Sequence, residues 1–179
     1  MSSKKRTHAL PQGAAAPHSK PRAAINLDIR LASINDLEAL IRLDTAAPHD
    51  ERRGAQIKGW INDRFCHVIE TGGEIAAYGV LHHHFFDCGF IEMLMVGERF
   101  RRRGLGLELV EHLKSICDQP KLFTSTNRSN QAMQSLLKEA GFRESGHIDN
   151  LDEDDTELVF FWPRERSRTG PSITAPAAE

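Results

Sequence analysis

The chain has 179 residues, 40% of them hydrophobic and 27% charged, a composition that suits one globular domain with a core of its own. Its formal net charge of −2 conceals an asymmetry: residues 1–24 carry Lys4, Lys5, Arg6, Lys20 and Arg22 and no acid, which leaves −7 for the remainder. An acidic body is a poor general binder of phosphate backbones, so a nucleic-acid partner is not expected. No apolar run approaches the ~20 residues of a membrane span. Cys66, Cys88 and Cys117 follow no paired spacing and no secretory leader is evident, which suits reduced thiols in a cytoplasmic protein.

In chain order, residues 1–24 are rich in Pro, Ala and Ser without apolar periodicity and read as a disordered basic tail. The folded domain is expected over 25–163, with a second disordered tail over 164–179. "LDIRL" (27–31) alternates as a strand does, and Ser33 with Asp36 resembles a capping box ahead of Leu37, Leu40 and Ile41 on one helical face. A second helix is predicted over Glu51–Phe65, with Ile57, Trp60, Ile61 and Phe65 inward. "CHVIE" and "EIAAYGVLHHH" form a hairpin across "TGG", and "DCG" (87–89) turns the chain into the apolar strand "FIEMLMV" (90–96). A helix with Leu109, Val110, Leu113, Ile116 and Cys117 on one face follows, then the strand "KLFTS" (121–125). Asn130–Ala140 is a helix closed by Gly141. Two short strands, Arg143–Ile148 and Glu157–Trp162, are joined by an acidic loop. The order β-α-α-β-β-β-α-β-α-β-β gives a mixed α/β domain, helices covering a twisted sheet.

The stretch "ERFRRRGLGLELVEHL" (98–113) runs from a strand through a two-glycine loop into a helix. Amides at a helix start have no intrahelical partner and carry partial positive charge, and glycine lets a ligand approach the backbone. Arginines add charge-assisted hydrogen bonds, so the loop can be read as a phosphate cradle as well as a solvated charge run.

Two ordered motifs carry a resemblance to the GNAT superfamily of acyl-CoA-dependent N-acetyltransferases. "LMVGERFRRRGLG" is similar to the family's strand end followed by Arg-x-x-Gly-x-Gly, through Leu94, Val96, Arg101, Gly104 and Gly106. "TNRSNQAMQSLLKEAGF" is similar to its later Asn-x-x-Asn, helix, Gly-Phe pattern, through Asn127, Asn130, Gly141 and Phe142. The resemblance spans about residues 27–162 and implies the GNAT-like fold, a central, mostly antiparallel sheet flanked by helices. It implies acetyl-CoA as co-substrate. The amides of Arg102, Arg103, Gly104, Leu105 and Gly106 would hold the pyrophosphate, with the Arg101 and Arg103 side chains nearby. Met95 and Val96 would hydrogen-bond the pantetheine arm as a pseudo-strand, with Leu94 a further cofactor-binding position of the strand end; the Met95 region would polarise the thioester, and Asn127 and Asn130 would contact pantetheine or adenosine. Dimers are common in the family, so the resemblance also admits a homodimer.

Acetyl transfer to an amine needs a proton acceptor, a stabilised carbonyl oxygen and a leaving thiolate. Glu92, four residues before Val96, is the candidate base. The acid is unassigned: the position where many family members place a tyrosine is Leu137, Tyr78 is the only tyrosine, and Ser129 and Ser135 are weak substitutes. A thiol of ordinary pKa ~8.5 can leave without strong assistance, but the missing tyrosine keeps open an acyl-CoA-sensing module with little turnover. "HHHFFDC" (82–88) places His82 and His84 on one strand face without further ligands at metal spacing, so no metal is expected and groove lining is the functional alternative. The acids of "DNLDEDDTE" (149–157) would attract a cationic amine acceptor if they border its site.

Overall fold

The computed structural model describes residues 27–164, so the expectations for both tails lie outside the described residues. Strands β1 (Asp28–Leu31), β2 (Cys66–Thr71), β3 (Glu74–Phe85), β4 (Cys88–Val96), β5 (Lys121–Asn127), β6 (Arg143–Asp152) and β7 (Asp155–Pro163) make one sheet in the order β1-β2-β3-β4-β5-β7-β6. Every neighbouring pair is antiparallel except β4 and β5, which are parallel. The parallel pair requires a crossover, and α3 (Leu105–Ile116) supplies it. The mixed α/β, mostly antiparallel fold expected above is the one observed.

Each sheet face has its own apolar cluster. On one face, α3 and α4 (Gln131–Glu139) cover Ile69, Ala77, Leu81, Ile91, Leu122 and Phe160. On the other, α1 (Leu37–Leu43) and α2 (Arg53–Asn62) cover Val68, Tyr78 and Val80, with Met93 and Met95 partly buried against them. Leu109, Val110 and Leu113 of α3 are fully buried, each stabilising the fold by roughly 1.5–3 kcal/mol. α4 ends in a Schellman motif, the Phe142 amide donating to the Leu137 carbonyl and the Gly141 amide to that of Lys138.

Three expectations need correction. The second helix is shorter than Glu51–Phe65: it covers Arg53–Asn62, Arg64 takes φ 61, and Phe65 returns to the core from the turn beyond. Ile116 is 41% exposed because α3 stops there and Cys117, 1% exposed, closes the apolar stripe. The acidic segment is no loop. Most of it belongs to β6 and β7, which pair as far as Asp152↔Asp155 around a two-residue tip where Asp154 has φ 66. Its acids conceal strand alternation because the hairpin stands clear of the core, and β6 is exposed along its whole length.

One irregularity positions the site. Val80 pairs with Met93 and Leu81 with Ile91, so Glu92 is the extra residue of a β-bulge on β4. Ile91 packs with the α3–α4 cluster and Met93 with the α1–α2 cluster. The bulge thereby lets Glu92 share the α2 face with Met93, against strict alternation.

Candidate active site

The parallel β4–β5 ladder is short. It joins Gly89↔Leu122, Phe90↔Phe123 and Ile91↔Thr124, while β4 continues to Val96 beside β3 and β5 continues to Asn127 beside β7. The two strands fork after Ile91. At the crotch, the buried Thr124 hydroxyl donates to the Ile91 carbonyl at 2.9 Å. Beyond it, the β4 backbone from Glu92 to Val96 has a ladder only on its β3 side. The side chains of Leu94 and Val96 pack into the α3–α4 cluster and that of Met95 into the α1–α2 cluster, so what these residues offer the fork is backbone.

The arginine–glycine loop closes the open end of β4. A single 3-10 turn, Glu98–Phe100, follows Gly97, and α3 starts after Gly104. Gly104 has φ 83, a conformation costly for any side chain, and no side chain caps the helix it opens. The first amides of α3 therefore lack an intrahelical partner. Gly106 serves packing as well: a Cβ there would lie 2.6 Å from Leu136 Cδ1, so the glycine lets α3 and α4 approach closely. The arginines pin the loop. Arg101 Nε donates to the Val96 carbonyl at 3.2 Å, Arg99 pairs with Glu74 at 2.8 Å, and the Arg99 and Arg103 guanidinium groups stack on Phe100. Arg102 takes φ 59.

Glu92 stands at the crotch on the α2 face. Its Oε2 accepts from the Trp60 indole N–H at 3.0 Å and lies 3.4 Å from His82 Nε2. Behind it runs a buried polar network that the sequence analysis did not find. Arg53 donates from Nε to Asp44 Oδ2 at 2.8 Å and from Nη1 to Gln56 at 2.8 Å, and its guanidinium lies 5.3 Å from the Trp60 ring centre. The Tyr78 hydroxyl donates to the same oxygen of Asp44, whose other oxygen accepts from the Ala46 and Ala47 amides. Burial alone would raise the Asp44 pKa; the bonds from Tyr78, Ala46 and Arg53 outweigh it and hold the carboxyl below its ordinary range. Burial and then Asp44 push the Tyr78 hydroxyl up. The only tyrosine is thus wholly buried and committed to Asp44, which disqualifies it as a proton donor at the fork.

The other sequence candidates are also placed. Asn127 ends β5 and donates to Asp152 Oδ2 at 2.7 Å; Asn130 caps α4, accepting from the Met133 amide at 3.1 Å. The Ser129 hydroxyl donates to Asp155 at 2.6 Å and that of Ser135 to the Gln131 carbonyl at 2.8 Å. Leu137 is fully buried. The bonds from Asn127 and Ser129 latch the acidic hairpin tip onto the free prong of the fork. The rings of His82 and His84 stack at 5.3 Å, and His82, Phe90, Phe85, Phe123 and Phe161 form a continuous aromatic row on the α2 face. Cys66 and Cys117 are buried, and burial pushes both thiols up, Cys66 to about 12. Among the described residues, no group of three His, Cys, Asp or Glu is gathered around one point, and no helix is long and apolar enough to cross a membrane. A cleft of about 950 Å³ opens on the α1 side of the loop, but Glu92 does not line it. Within it Arg30 pairs with Asp36 and Glu70, and Arg99 with Glu74. The fork, not this cleft, brings together the predicted residues.

The family model described as Acetyltransferase (GNAT) family matches residues 34–142. The chain belongs to that family. A GNAT-family acetyltransferase from Bacillus cereus is 32% identical, with a TM-score of 0.73 over 78% of this chain and 99% of its own. The ribosomal-protein-S18-alanine N-acetyltransferase of Escherichia coli shares the fold at 23% identity and a TM-score of 0.63, over 76% and 93% of the two chains. A Salmonella typhimurium protein solved with its cofactor acetyl-CoA shares it at 16% identity and a TM-score of 0.67, over 82% and 99%. No curated protein matches the chain. Membership of the GNAT family carries acetyl-CoA-dependent acyl transfer as the general reaction.

Within this GNAT domain, the loop, the strand and Glu92 singled out from the sequence lie together at the fork, while Asp44, Arg53 and the hydrogen bond from Trp60 were not anticipated. The apolar, helically spaced ring of Trp60 marks it as a core residue. It is a core residue, 6% exposed, but a buried indole N–H needs an acceptor, and that need was the available signal.

Proposed function

We propose that the protein transfers acetyl from acetyl-CoA to a primary amine of a small molecule or peptide by direct attack on the thioester, with Glu92 as base. The observation that carries this reading is the fork: open β4 backbone lies between a carboxylate at its crotch and an uncapped helix start at its mouth. The amides of Arg102 to Gly106 would hold the pyrophosphate, helped by the partial positive charge of the α3 N-terminus. Backbone from Leu94 to Val96 would pair with the pantetheine arm, and the Met95 region would stabilise the developing oxyanion. Asn127 and Asn130, at the facing prong, would border the same ligand. Glu92 would accept the amine proton as nitrogen attacks, and the thiol would leave at its ordinary acidity. The acidic hairpin tip latched beside the fork favours a cationic acceptor.

A thermal-shift titration with acetyl-CoA tests the cofactor assignment, each variant read against its own ligand-free melting point. At ~100 times Kd a ligand adds roughly 2.7 kcal/mol, a rise of about 5–11 °C for a domain of this size. Wild type rises and Gly104→Asp does not; a folded wild type that stays flat overturns the assignment. Thiol release with a panel of primary amines then tests turnover.

A second reading is an acyl-CoA-binding module with little turnover. It is favoured by Leu137, buried where many family members carry a tyrosine, and by the commitment of Tyr78 to Asp44. A clear thermal shift with no amine-stimulated thiol release would select it.

A further inference from the structure

We propose that Trp60 and His82 are positioning residues: two neutral donors that hold Glu92 by one oxygen and leave the other facing the acceptor. The proposal rests on Glu92 as base and adds what aims it. Both groups converge on Oε2, the Trp60 indole nitrogen at 3.0 Å and His82 Nε2 at 3.4 Å. Among the described residues no donor reaches Oε1.

The tautomer of His82 follows from its other nitrogen. The backbone amide of His84 donates to His82 Nδ1 at 3.1 Å, and an amide can only donate, so Nδ1 is unprotonated and Nε2 carries the hydrogen. That nitrogen is the one 3.4 Å from Glu92 Oε2, a contact that becomes a hydrogen bond only as the two side chains draw together. A second proton on Nδ1 would break the bond to the His84 amide, and burial opposes it further; burial, with His84 and His83, outweighs the pull of Glu92 and lowers the ring's pKa. His82 is therefore a donor, not a competing base. The 3.4 Å contact is long for a hydrogen bond, as catalytic contacts often are before substrate binds.

The charge behind Trp60 is kept out of the pair. Arg53 stacks on the indole but gives its Nε–H to Asp44 and directs Nη2 at the Met93 sulfur, at 3.4 Å. Asp44 in turn carries four donors and is 1% exposed. An ion pair between Arg53 and Glu92 would occupy the carboxylate with a cation; the observed ion pair of Arg53 is with Asp44 instead. Held by Asp44, the Arg53 guanidinium lies over the indole whose N–H donates to Glu92.

Two measurements test this. In 15N-labelled protein the indole N–H signals come from Trp60 and Trp162, told apart by Trp162→Phe. Glu92→Gln moves the Trp60 signal upfield as a charged acceptor becomes neutral; an unmoved signal overturns the contact. Kinetics use thiol release from acetyl-CoA with the fastest of spermidine, L-lysine amide and phenethylamine, or with water as nucleophile if none exceeds hydrolysis. Trp60→Phe lowers kcat about 10-fold and leaves the acetyl-CoA KM within about 2-fold, the pattern of an interaction used only in the transition state. In a Glu92→Gln background the same substitution changes kcat less than about 2-fold, because what it positioned is gone. His82→Leu lowers kcat and His82→Gln, which keeps a donor at the Nε2 position, restores most of it. Undiminished losses in the Glu92→Gln background overturn positioning while leaving the base intact. Glu92→Gln with wild-type kcat overturns the base reading itself.

Discussion

The two faces of the sheet are held by different physics. Under α3 and α4 the contacts are almost wholly apolar: Leu109, Val110, Leu113, Leu137 and Phe160 are buried together, and Gly106 lets the helices close on one another. Under α1 and α2 the core instead surrounds the hydrogen-bonded Asp44, Arg53 and Tyr78; Arg53 lies against the ring of Trp60, whose N–H meets Glu92. Apolar packing is non-directional and tolerates small shifts of a side chain. A buried polar network fixes orientation, at the risk of a large penalty if one member is lost. The face that carries Glu92 uses the second device, and the face that holds the crossover helix uses the first.

Removing Asp44 is the most severe way to break this contrast. Asp44→Ala leaves a buried guanidinium and a buried hydroxyl without their acceptor and costs about 3–5 kcal/mol in urea unfolding. The folded fraction also loses turnover, because Arg53 and with it Trp60 are released. Leu109→Ala costs about 2–5 kcal/mol from the lost burial and the cavity left behind. Its turnover per folded molecule stays within about 2-fold of wild type, measured below the unfolding transition. Equal loss of turnover in both variants would erase the distinction between the faces.

The apolar face carries one titrating weak point. His112 Nε2 meets His67 Nδ1 at 3.1 Å between β2 and α3, and burial, then the neighbouring ring, lower His67 to about 4. The folded state thus refuses a proton that the unfolded chain accepts near pH 6.5. Stability is complete above about 6.5, falls as pH drops towards 4, and falls no further from this group below it. Discounted for partial exposure, the loss is roughly 1–2 kcal/mol. Melting curves at pH 7 and pH 4.5 differ more for wild type than for His67→Gln. At the small end, Glu74→Gln removes an exposed ion pair with Arg99 and shifts stability by no more than about 0.5 kcal/mol at ordinary salt. A larger shift would mean that the loop depends on that anchor.

Much of the fold could be read from pattern: α3 and α4 each bury one helical face, and the β2–β3 hairpin is two apolar runs joined across a glycine turn. The two strands of the last hairpin could be read as well, but not how far they run into the acidic segment: β6 buries nothing, so no apolar alternation marks its extension to Asp152. The loop and Glu92 could be read because they adjoin an apolar strand. The bulge that turns Glu92 towards α2 depends on the register between β3 and β4, which no single strand encodes.

The sequence by itself determined the order of helices and strands, where the arginine–glycine loop lies, and which family the chain resembles. Those are local matters of spacing, turn chemistry and motif. Only the tertiary structure decided that β4 parts from β5 after Ile91, that the sole tyrosine is spent on Asp44, and that Trp60 gives its N–H to Glu92. Each depends on groups brought together from distant parts of the chain, 34 residues apart for Tyr78 and Asp44 and 32 for Trp60 and Glu92. A buried polar group must find a partner; which partner it finds is settled by packing.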